Sequence, residues 1–132
     1  MMAPDDDPLF APIAGADSRR VAGAQVDVAP AGSGRIKRVI YQPGFRWSTH
    51  MKEKVGTDLC MHAHVGFIAR GRVGVQYGDG TRVEFAAPAV VAIEPGHDGW
   101  VIGDEPAVLI EVDFMGETAA RFGMRDHRRG NP

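Results

Sequence analysis

The sequence has little of several features that would each identify a particular class of protein. Its 132 residues include a single cysteine, which excludes an internal disulfide framework and suits a reducing compartment. Neither sign of charge dominates: the formal net charge is −2, with no electrostatic reason to expect a nucleic-acid partner. The apolar runs are far shorter than the ~20 residues that a membrane helix requires. We therefore expect neither nucleic acid nor a membrane as a partner.

The N-terminus also lacks the basic and apolar regions of a signal peptide, so a cytoplasmic location is the expectation. What remains is an ordinary globular composition, 44% hydrophobic and 24% charged. A chain of this length is expected to form one domain with a single hydrophobic core.

Helical periodicity is missing before Gly116, and from Arg35 onward the apolar residues recur with a period of two. Glycine- and proline-rich turns, such as Gly78-Asp79-Gly80, separate short segments with this period. Strands are predicted over residues 35–42, 45–51, 59–70, 72–77, 81–85, 89–93, 100–102 and 107–114. Many short strands with such turns predict an all-β sandwich or barrel.

The two ends of the chain differ from this central part. Residues 1–34 contain early prolines and aspartates and the loop-like segment 29–34, which predict a flexible N-terminal arm and a first edge segment. Residues 35–115 are predicted to form the barrel. Residues 116–132 contain four arginines and are predicted to form a short helix or a basic tail.

Histidine is uncommon, and three of the five histidines fall in two segments with strand character. Cys60, His62 and His64 alternate along the predicted strand 59–70, so they are expected on one face. If the fold brings His97 to that face, three imidazoles and a thiol converge. This pattern predicts a site for a divalent transition metal, with Fe, Zn, Ni, Cu and Mn all compatible with nitrogen ligands.

Each of these residues also has other interpretations. His62 and His64 could be hydrogen-bonded histidines without a metal, and Cys60 could be a small buried hydrophobic residue. His97 could be a metal ligand, a general base, or a structural partner of Asp98. His64 and His97 are the candidate catalytic residues.

Aromatic residues at alternate strand positions could form the wall of an apolar cavity for a small organic ligand. Trp47, Phe67, Tyr77 and Trp100 are the candidates, and Trp100 follows His97 closely enough to contact the same ligand. The alternative is that these rings only fill the core.

The stretch from Pro43 to Pro106 resembles a small single-domain cupin, with the run Pro95-Gly96-His97-Asp98-Gly99-Trp100 as its most specific part. The resemblance covers about residues 36–114. It implies a double-stranded β-helix, a small conical barrel whose lumen often holds a divalent metal through histidines and a glutamate. If Gly71 closes the first cupin motif, the usual glutamate position holds His64.

The resemblance implies a small metal-dependent enzyme of oxygenase, lyase or isomerase type, acting on an oxygen-containing organic substrate. Three neutral imidazoles would leave the charge of the ion uncompensated, which favours an anionic substrate. The alternatives are a non-enzymatic small-molecule sensor and a metal-free acid–base catalyst. A homodimer is expected from exposed strand edges. The sequence alone does not identify the substrate, the reaction or the metal.

Overall fold

A computed structural model describes residues 7–113 and confirms the predicted all-β architecture. Nine strands and two short helices are present in these residues. They are, in chain order, β1 (Asp17–Val21), β2 (Ala24–Ala31), β3 (Gly34–Tyr41), α1 (Trp47–His50), α2 (Lys52–Val55), β4 (His64–Arg70), β5 (Arg72–Tyr77), β6 (Arg82–Ala86), β7 (Ala89–Ile93), β8 (His97–Val101) and β9 (Ala107–Asp113).

The strands form two antiparallel sheets that share one core. One sheet has the order β1-β2-β3-β9-β4-β7 and the other has the order β6-β5-β8. Val39, Ile68 and Leu109 from the larger sheet belong to the same buried cluster as Val73 and Val101 from the smaller one. Burying these apolar side chains between the sheets is the main stabilising contribution to the fold.

Alternation along the strands decides which side chains face the interior. On β3, Lys37, Val39 and Tyr41 face the interior, whereas Arg38 lies on the outer face. In the antiparallel register Lys37 is the partner of Glu111 on β9. The strand pairing therefore places two charged residues next to each other on the inner face.

The segment 45–51 is not the strand that its alternation predicted. Trp47–His50 forms α1 instead, with Trp47 buried in the core. The Asp98 carboxylate accepts hydrogen bonds from the Ser48 backbone N–H at 2.9 Å and from its hydroxyl at 2.8 Å. This contact gives a first-turn N–H of α1 a partner, and it depends on a residue fifty positions away, which local periodicity does not reveal.

The predicted strand 59–70 is wrong in its first part, because β4 begins only at His64. Cys60 lies in the preceding loop and forms an isolated bridge with His97. Cys60, His62 and His64 therefore do not alternate along one strand. They approach one another because the loop crosses the start of β8.

Residues 17–31 lie within the segment predicted as a flexible arm and a first edge segment, and they form β1 and β2 at the edge of the larger sheet. Ala22 and Gly23 both have positive φ, as a tight hairpin turn requires, and connect the two strands. The loop predicted over 29–34 is shorter than expected, because β2 continues to Ala31.

A buried ion pair on the outer face holds this edge to the sheet. Nη2 of Arg38 lies 2.8 Å from Oδ2 of Asp27, and both side chains are 1% exposed. Nη1 of Arg38 donates to the carbonyls of Pro8 and Ala11 at 3.2 and 2.8 Å. The described part of the predicted arm is thus bound to the outer face of the sheet.

No helix within residues 7–113 is long and apolar enough to span a membrane. The short helix or basic tail predicted for 116–132 lies outside the described residues.

Candidate metal centre in the barrel cavity

A cavity of about 410 Å³ opens between the two sheets. Its wall is mostly apolar and includes valines of five strands together with Tyr41, Phe45 and Trp47. The chemically reactive side chains in the lining are Lys37, Cys60, His62, His64 and His97. All four predicted metal ligands therefore border the same cavity.

His64, the first residue of β4, lies between a carboxylate and a thiol. Its Nδ1 is 2.7 Å from Oε1 of Glu111, and its Nε2 is 3.8 Å from Sγ of Cys60. Glu111 reaches this position because β9 pairs with β4 and places Glu111 opposite Gly66. The carboxylate therefore orients the ring so that Nε2 points toward the thiol.

His97, the first residue of β8, is fixed in a similar way by a backbone carbonyl. Its Nδ1–H donates to the carbonyl oxygen of Glu94 at 2.7 Å, which leaves Nε2 as the nitrogen with a lone pair. The ring centroids of His97 and His64 are 5.2 Å apart. His97 is 4% exposed, so its ring is held inside the barrel.

Backbone hydrogen bonds clamp Cys60 to the start of β8. Its N–H donates to the carbonyl of His97 at 2.7 Å, and its own carbonyl accepts from the N–H groups of Gly96 and His97 at 2.8 and 3.2 Å. The thiol is consequently held beside both imidazoles by the main chain, and Cys60 is 8% exposed.

Two sets of possible metal ligands result from this arrangement. Ligand atoms of Cys60, His64 and His97 all lie within 4.8 Å of one another, and so do those of His62, His64 and Glu111. His64 is common to both sets. The two sets compete for it, because Glu111 occupies one ring nitrogen and Cys60 faces the other.

The donor set Cys60, His64 and His97 fits a transition metal. Thiolate and imidazole are the ligands that Zn, Fe, Ni and Cu bind in proteins. Metal-binding histidines usually donate their second N–H to a carboxylate or a backbone carbonyl, and His64 and His97 have these two partners. Oε2 of Glu111 is buried and has no hydrogen-bond partner among residues 7–113, so within this part of the chain the carboxylate retains an acceptor beside the cluster.

Electrostatics favour the ionised form of the thiol. Burial opposes a charged Cys60, but hydrogen bonds with His64 and His97 outweigh burial and lower the pKa of the thiol to about 6. Burial likewise opposes a charged His64, but its hydrogen bonds to Cys60 and Glu111 raise its pKa to about 9. Without a metal, the pair is therefore a thiolate beside an imidazolium at neutral pH.

Lys37 and His62 also line the cavity and extend this cluster. Nζ of Lys37 lies 3.1 Å from Nε2 of His62 and 3.6 Å from Oε1 of Glu111. Glu111 is 2% exposed, and although burial raises its pKa, the nearby cations His64 and Lys37 hold the pKa below its usual value. The buried carboxylate is thus ionised between two basic groups.

The predicted ligand-binding aromatic residues lie in different places. Trp47 lines the cavity, whereas Phe67 is 42% exposed and is absent from the lining because alternation on β4 turns it away from His64. Tyr77 is also absent from the lining, and its hydroxyl accepts from the Glu94 backbone N–H at 3.1 Å.

Trp100 is among the lining residues, but alternation on β8 places its ring on the face opposite His97. The ring covers Gly74, where an added Cβ would lie 2.4 Å from it. The guanidinium carbons of Arg46 and Arg82 lie 4.5 and 5.6 Å from the ring centroid. These contacts explain the position of Trp100 without a ligand.

Sequence reasoning missed Glu111 and Lys37. A signal for both was present: strand alternation places Glu111 on the same face as Leu109, and Lys37 on the same face as Val39 and Tyr41. A charge on an inner face requires a buried partner or a function.

No protein-family profile matches the chain, and no curated protein matches it. Several solved structures, in contrast, are similar to the chain in fold. A cupin 2 conserved barrel domain protein from Salinispora arenicola is 20% identical, with a TM-score of 0.56 over 85% of this chain and 92% of that one. The capsular polysaccharide assembling protein CapF from Staphylococcus aureus is 16% identical, with a TM-score of 0.52 over 80% of this chain and 31% of that one.

Hydroxypropylphosphonic acid epoxidase from S. wedmorenis, solved in complex with fosfomycin, is 12% identical, with a TM-score of 0.51 over 86% of this chain and 58% of that one. This chain therefore spans less than a third of CapF and little more than half of the epoxidase. The likeness shows the fold: the chain has the cupin fold, as the resemblance of its sequence implied, and structures with this fold include an enzyme.

Proposed function

We propose that this chain is a small metal-dependent cupin whose divalent ion is held by Cys60, His64 and His97. The observation that carries the proposal is the approach of the three donor groups to within 4.8 Å inside a cavity large enough for a small molecule. The oriented imidazoles support it, because Glu111 and the Glu94 carbonyl leave Nε2 of each ring available to an ion.

The donor chemistry narrows the choice of metal. A thiolate with two imidazoles favours Zn, Fe, Ni or Cu, whereas Mn prefers carboxylate and water ligands. The Cys60 thiol ionises readily, which suits a ligand that must lose its proton before it binds.

The proposed activity is that of an oxygenase, lyase or isomerase on a small oxygen-containing substrate. When bound, the ion would supply Lewis-acid or oxygen-activating chemistry. The chain's own residues have separate roles: Glu111 holds His64, the Glu94 carbonyl holds His97, and the apolar wall around Phe45 excludes water.

A second candidate function has its own supporting observation. Cys60, His64 and Glu111 are arranged as thiol, imidazole and carboxylate, with 3.8 Å between the first pair and 2.7 Å between the second. In a metal-free protein this arrangement would support acid–base or nucleophilic chemistry at the thiol. A binding or sensing role without catalysis is the third candidate. The metal content of the purified protein distinguishes the metal-dependent enzyme from the other two.

The test is elemental analysis of untagged protein purified without chelator. We expect a metal-to-protein ratio near one in the wild type and loss of the ion in Cys60→Ala, His64→Ala and His97→Ala. His62→Ala is the discriminating variant, because it removes a donor of only the second set. It should retain the ion if Cys60, His64 and His97 hold it.

His50→Ala is the matched control, since His50 is a histidine outside both ligand sets and outside the cavity lining. Loss of metal in His62→Ala with retention in Cys60→Ala would move the site to the second set. Protein that contains no transition metal even after reconstitution would contradict the proposal and favour the metal-free candidate.

We also propose that the chain forms a homodimer through the outer face of β4 and β7. β7 is an edge strand of the larger sheet, and the outward residues Val65, Phe67 and Val90 are 37%, 42% and 76% exposed. Unpaired strand edges with apolar side chains favour pairing with another chain. Sedimentation equilibrium should give twice the mass of the chain, and Val90→Lys should shift it to the monomer.

A further inference from the structure

Lys37 is a cation on the wall of an otherwise apolar cavity. It belongs to the inner face of β3, lines the cavity, and has a side chain that is 14% exposed. A lysine whose only role was solubility would extend its ammonium into water. Lys37 instead keeps its ammonium inside the barrel, where a charge is costly unless it interacts with opposite charge.

Its two described partners do not use the full capacity of the ammonium group. The nitrogen has three N–H donors, and the described residues provide His62 at 3.1 Å and Glu111 at 3.6 Å. His62 accepts through Nε2 and brings no negative charge. Glu111 is shared with His64, which lies closer at 2.7 Å. A further acceptor with negative charge is therefore favourable on the cavity side of Lys37.

The net charge of the whole site also favours a negatively charged ligand. This net charge depends on the proposed metal site. With a divalent ion bound, the positive groups are the ion and Lys37, and the negative groups are the Cys60 thiolate and Glu111. Neutral imidazoles add nothing. One positive charge remains, which a ligand with a single negative charge neutralises.

The rest of the wall defines the other part of the ligand. Val39, Tyr41, Phe45 and Trp47 line the cavity, and the space of about 410 Å³ is large enough for a small organic molecule. Apolar walls contribute by removing apolar ligand surface from water, at about 25 cal/mol per Å². A polar chain such as a sugar would leave hydroxyl groups without partners here.

The geometry points to a small monocarboxylate with an apolar body as the ligand of this cavity, its carboxylate paired with Lys37. The apolar body lies against the aromatic wall, and the carboxylate lies near His64, because Lys37 and His64 both contact Oε1 of Glu111. Lys37 is thus the group that selects the class of ligand, whereas the thiol and the two imidazoles hold the ion.

The experiment compares carboxylates with neutral amides of nearly the same shape. Benzoate with benzamide, and hexanoate with hexanamide, are titrated into zinc-loaded full-length protein by calorimetry at low ionic strength. We expect each acid to bind at least about tenfold more tightly than its amide, which is the usual scale of a charge-assisted hydrogen bond in a partly buried site.

Lys37→Met removes the charge and keeps most of the length of the side chain. This variant should lose the tenfold preference, and Lys37→Arg should retain most of it. Lys52→Met is the matched control, because Lys52 is 46% exposed and pairs with Asp58 outside the cavity. It should bind all four compounds as the wild type does.

The same titrations on chelator-treated protein separate this inference from the proposed function. The preference that Lys37 provides should persist without the ion, at reduced size. A preference that vanishes with the ion and survives in Lys37→Met would assign the carboxylate to the metal and overturn the role of Lys37. Equal binding of acid and amide in both pairs, including no binding of any of the four, would overturn the monocarboxylate. Failure of the zinc-loading step itself counts against the proposed metal site alone.

Discussion

Two buried charge clusters lie on opposite faces of the larger sheet, and adjacent residues of β3 supply one cation to each. On the outer face, Arg38 pairs with Asp27 at 2.8 Å, and both are 1% exposed. On the inner face, Lys37 lies 3.6 Å from Glu111, which also pairs with His64. The two clusters contain similar residue types and comparable burial, so burial alone does not distinguish them.

The difference lies in what completes each cluster. Asp27 also accepts from Ser18 at 2.5 Å and from Gln25 at 3.2 Å, and Arg38 donates to two backbone carbonyls. The inner cluster borders the cavity, and the described part of the chain offers no hydrogen-bond partner to Oε2 of Glu111. Nη2 of Arg38 likewise makes no hydrogen bond among the described residues, although it lies 2.8 Å from Oδ2 of Asp27. The contrast is therefore one of position: protein groups surround the outer pair, whereas the inner pair borders a cavity and is suited to a ligand.

The largest expected loss of stability comes from a substitution that breaks the outer cluster. Arg38→Ala leaves the Asp27 carboxylate buried without its cation, which typically costs about 3–5 kcal/mol of the free energy of unfolding. Urea unfolding followed by circular dichroism measures it, with the exposed Arg20→Ala as control. Metal content of the folded fraction should be unchanged. An Arg38→Ala protein as stable as the wild type would show that the outer pair does not hold the sheet.

The second effect addresses the inner cluster. Glu111→Gln keeps the shape of the side chain but removes the charge that orients His64, so metal affinity should fall by about 10–100-fold. A competition titration with a chromophoric chelator measures the affinity. Glu84→Gln, at a carboxylate that is 64% exposed, is the control. An unchanged affinity would mean that the carboxylate does not support His64.

The third effect is a pH dependence that belongs to the outer cluster. Burial raises the pKa of Asp27, but hydrogen bonds from Ser18, Arg38 and Gln25 outweigh burial and hold the pKa below its usual value. A carboxyl with a lowered folded pKa stabilises above its unfolded pKa, and this contribution is lost as the pH falls through the folded value.

The wild type should therefore be more stable than Asp27→Asn near neutral pH, and the gap should narrow below about pH 4. Urea unfolding at a series of pH values measures the gap. Asp17→Asn, at an exposed position of β1, should show no such gap. A gap that stays constant into the acid range would contradict the assignment of the charge to Asp27.

The smallest expected loss of stability comes from removing one neutral hydrogen-bond donor from the outer cluster. Ser18→Ala deletes the hydroxyl that donates to Asp27, which should cost about 1 kcal/mol of the free energy of unfolding. Ser18→Thr keeps the hydroxyl and should restore most of that stability. Equal destabilisation by both variants would indicate a packing effect in place of the hydrogen bond.

The fold was predictable because alternation and turn chemistry are local signals. The hairpin turn at Gly78-Asp79-Gly80 does connect β5 and β6, and the period-two segments from Arg72 onward correspond closely to strands β5, β6, β7 and β9. The errors at 45–51 and 59–63 have one cause: Asp98 and His97 impose the conformation of those segments from a distant part of the chain. Periodicity within a window carries no information about such partners.

The candidate site was predictable in its residue types and not in its construction. His64 and His97 were singled out because histidine is rare and falls near strand ends. Glu111 was not, because its role arises from the pairing of β4 with β9, forty-seven residues later in the chain than His64. Phe67 was assigned to the cavity from its residue type, although its neighbour His64 has the opposite parity on the strand and takes the inner face.

The backbone clamp between Cys60 and His97 implies that the chain does not need an ion in order to acquire its shape. In zinc fingers the metal gathers ligands that are scattered in the unfolded chain, so the free energy of binding is also the free energy of folding. Here main-chain hydrogen bonds bring the thiol and the imidazole together. An ion would therefore bind to a preformed site, and it could dissociate or be exchanged for another ion without unfolding the barrel.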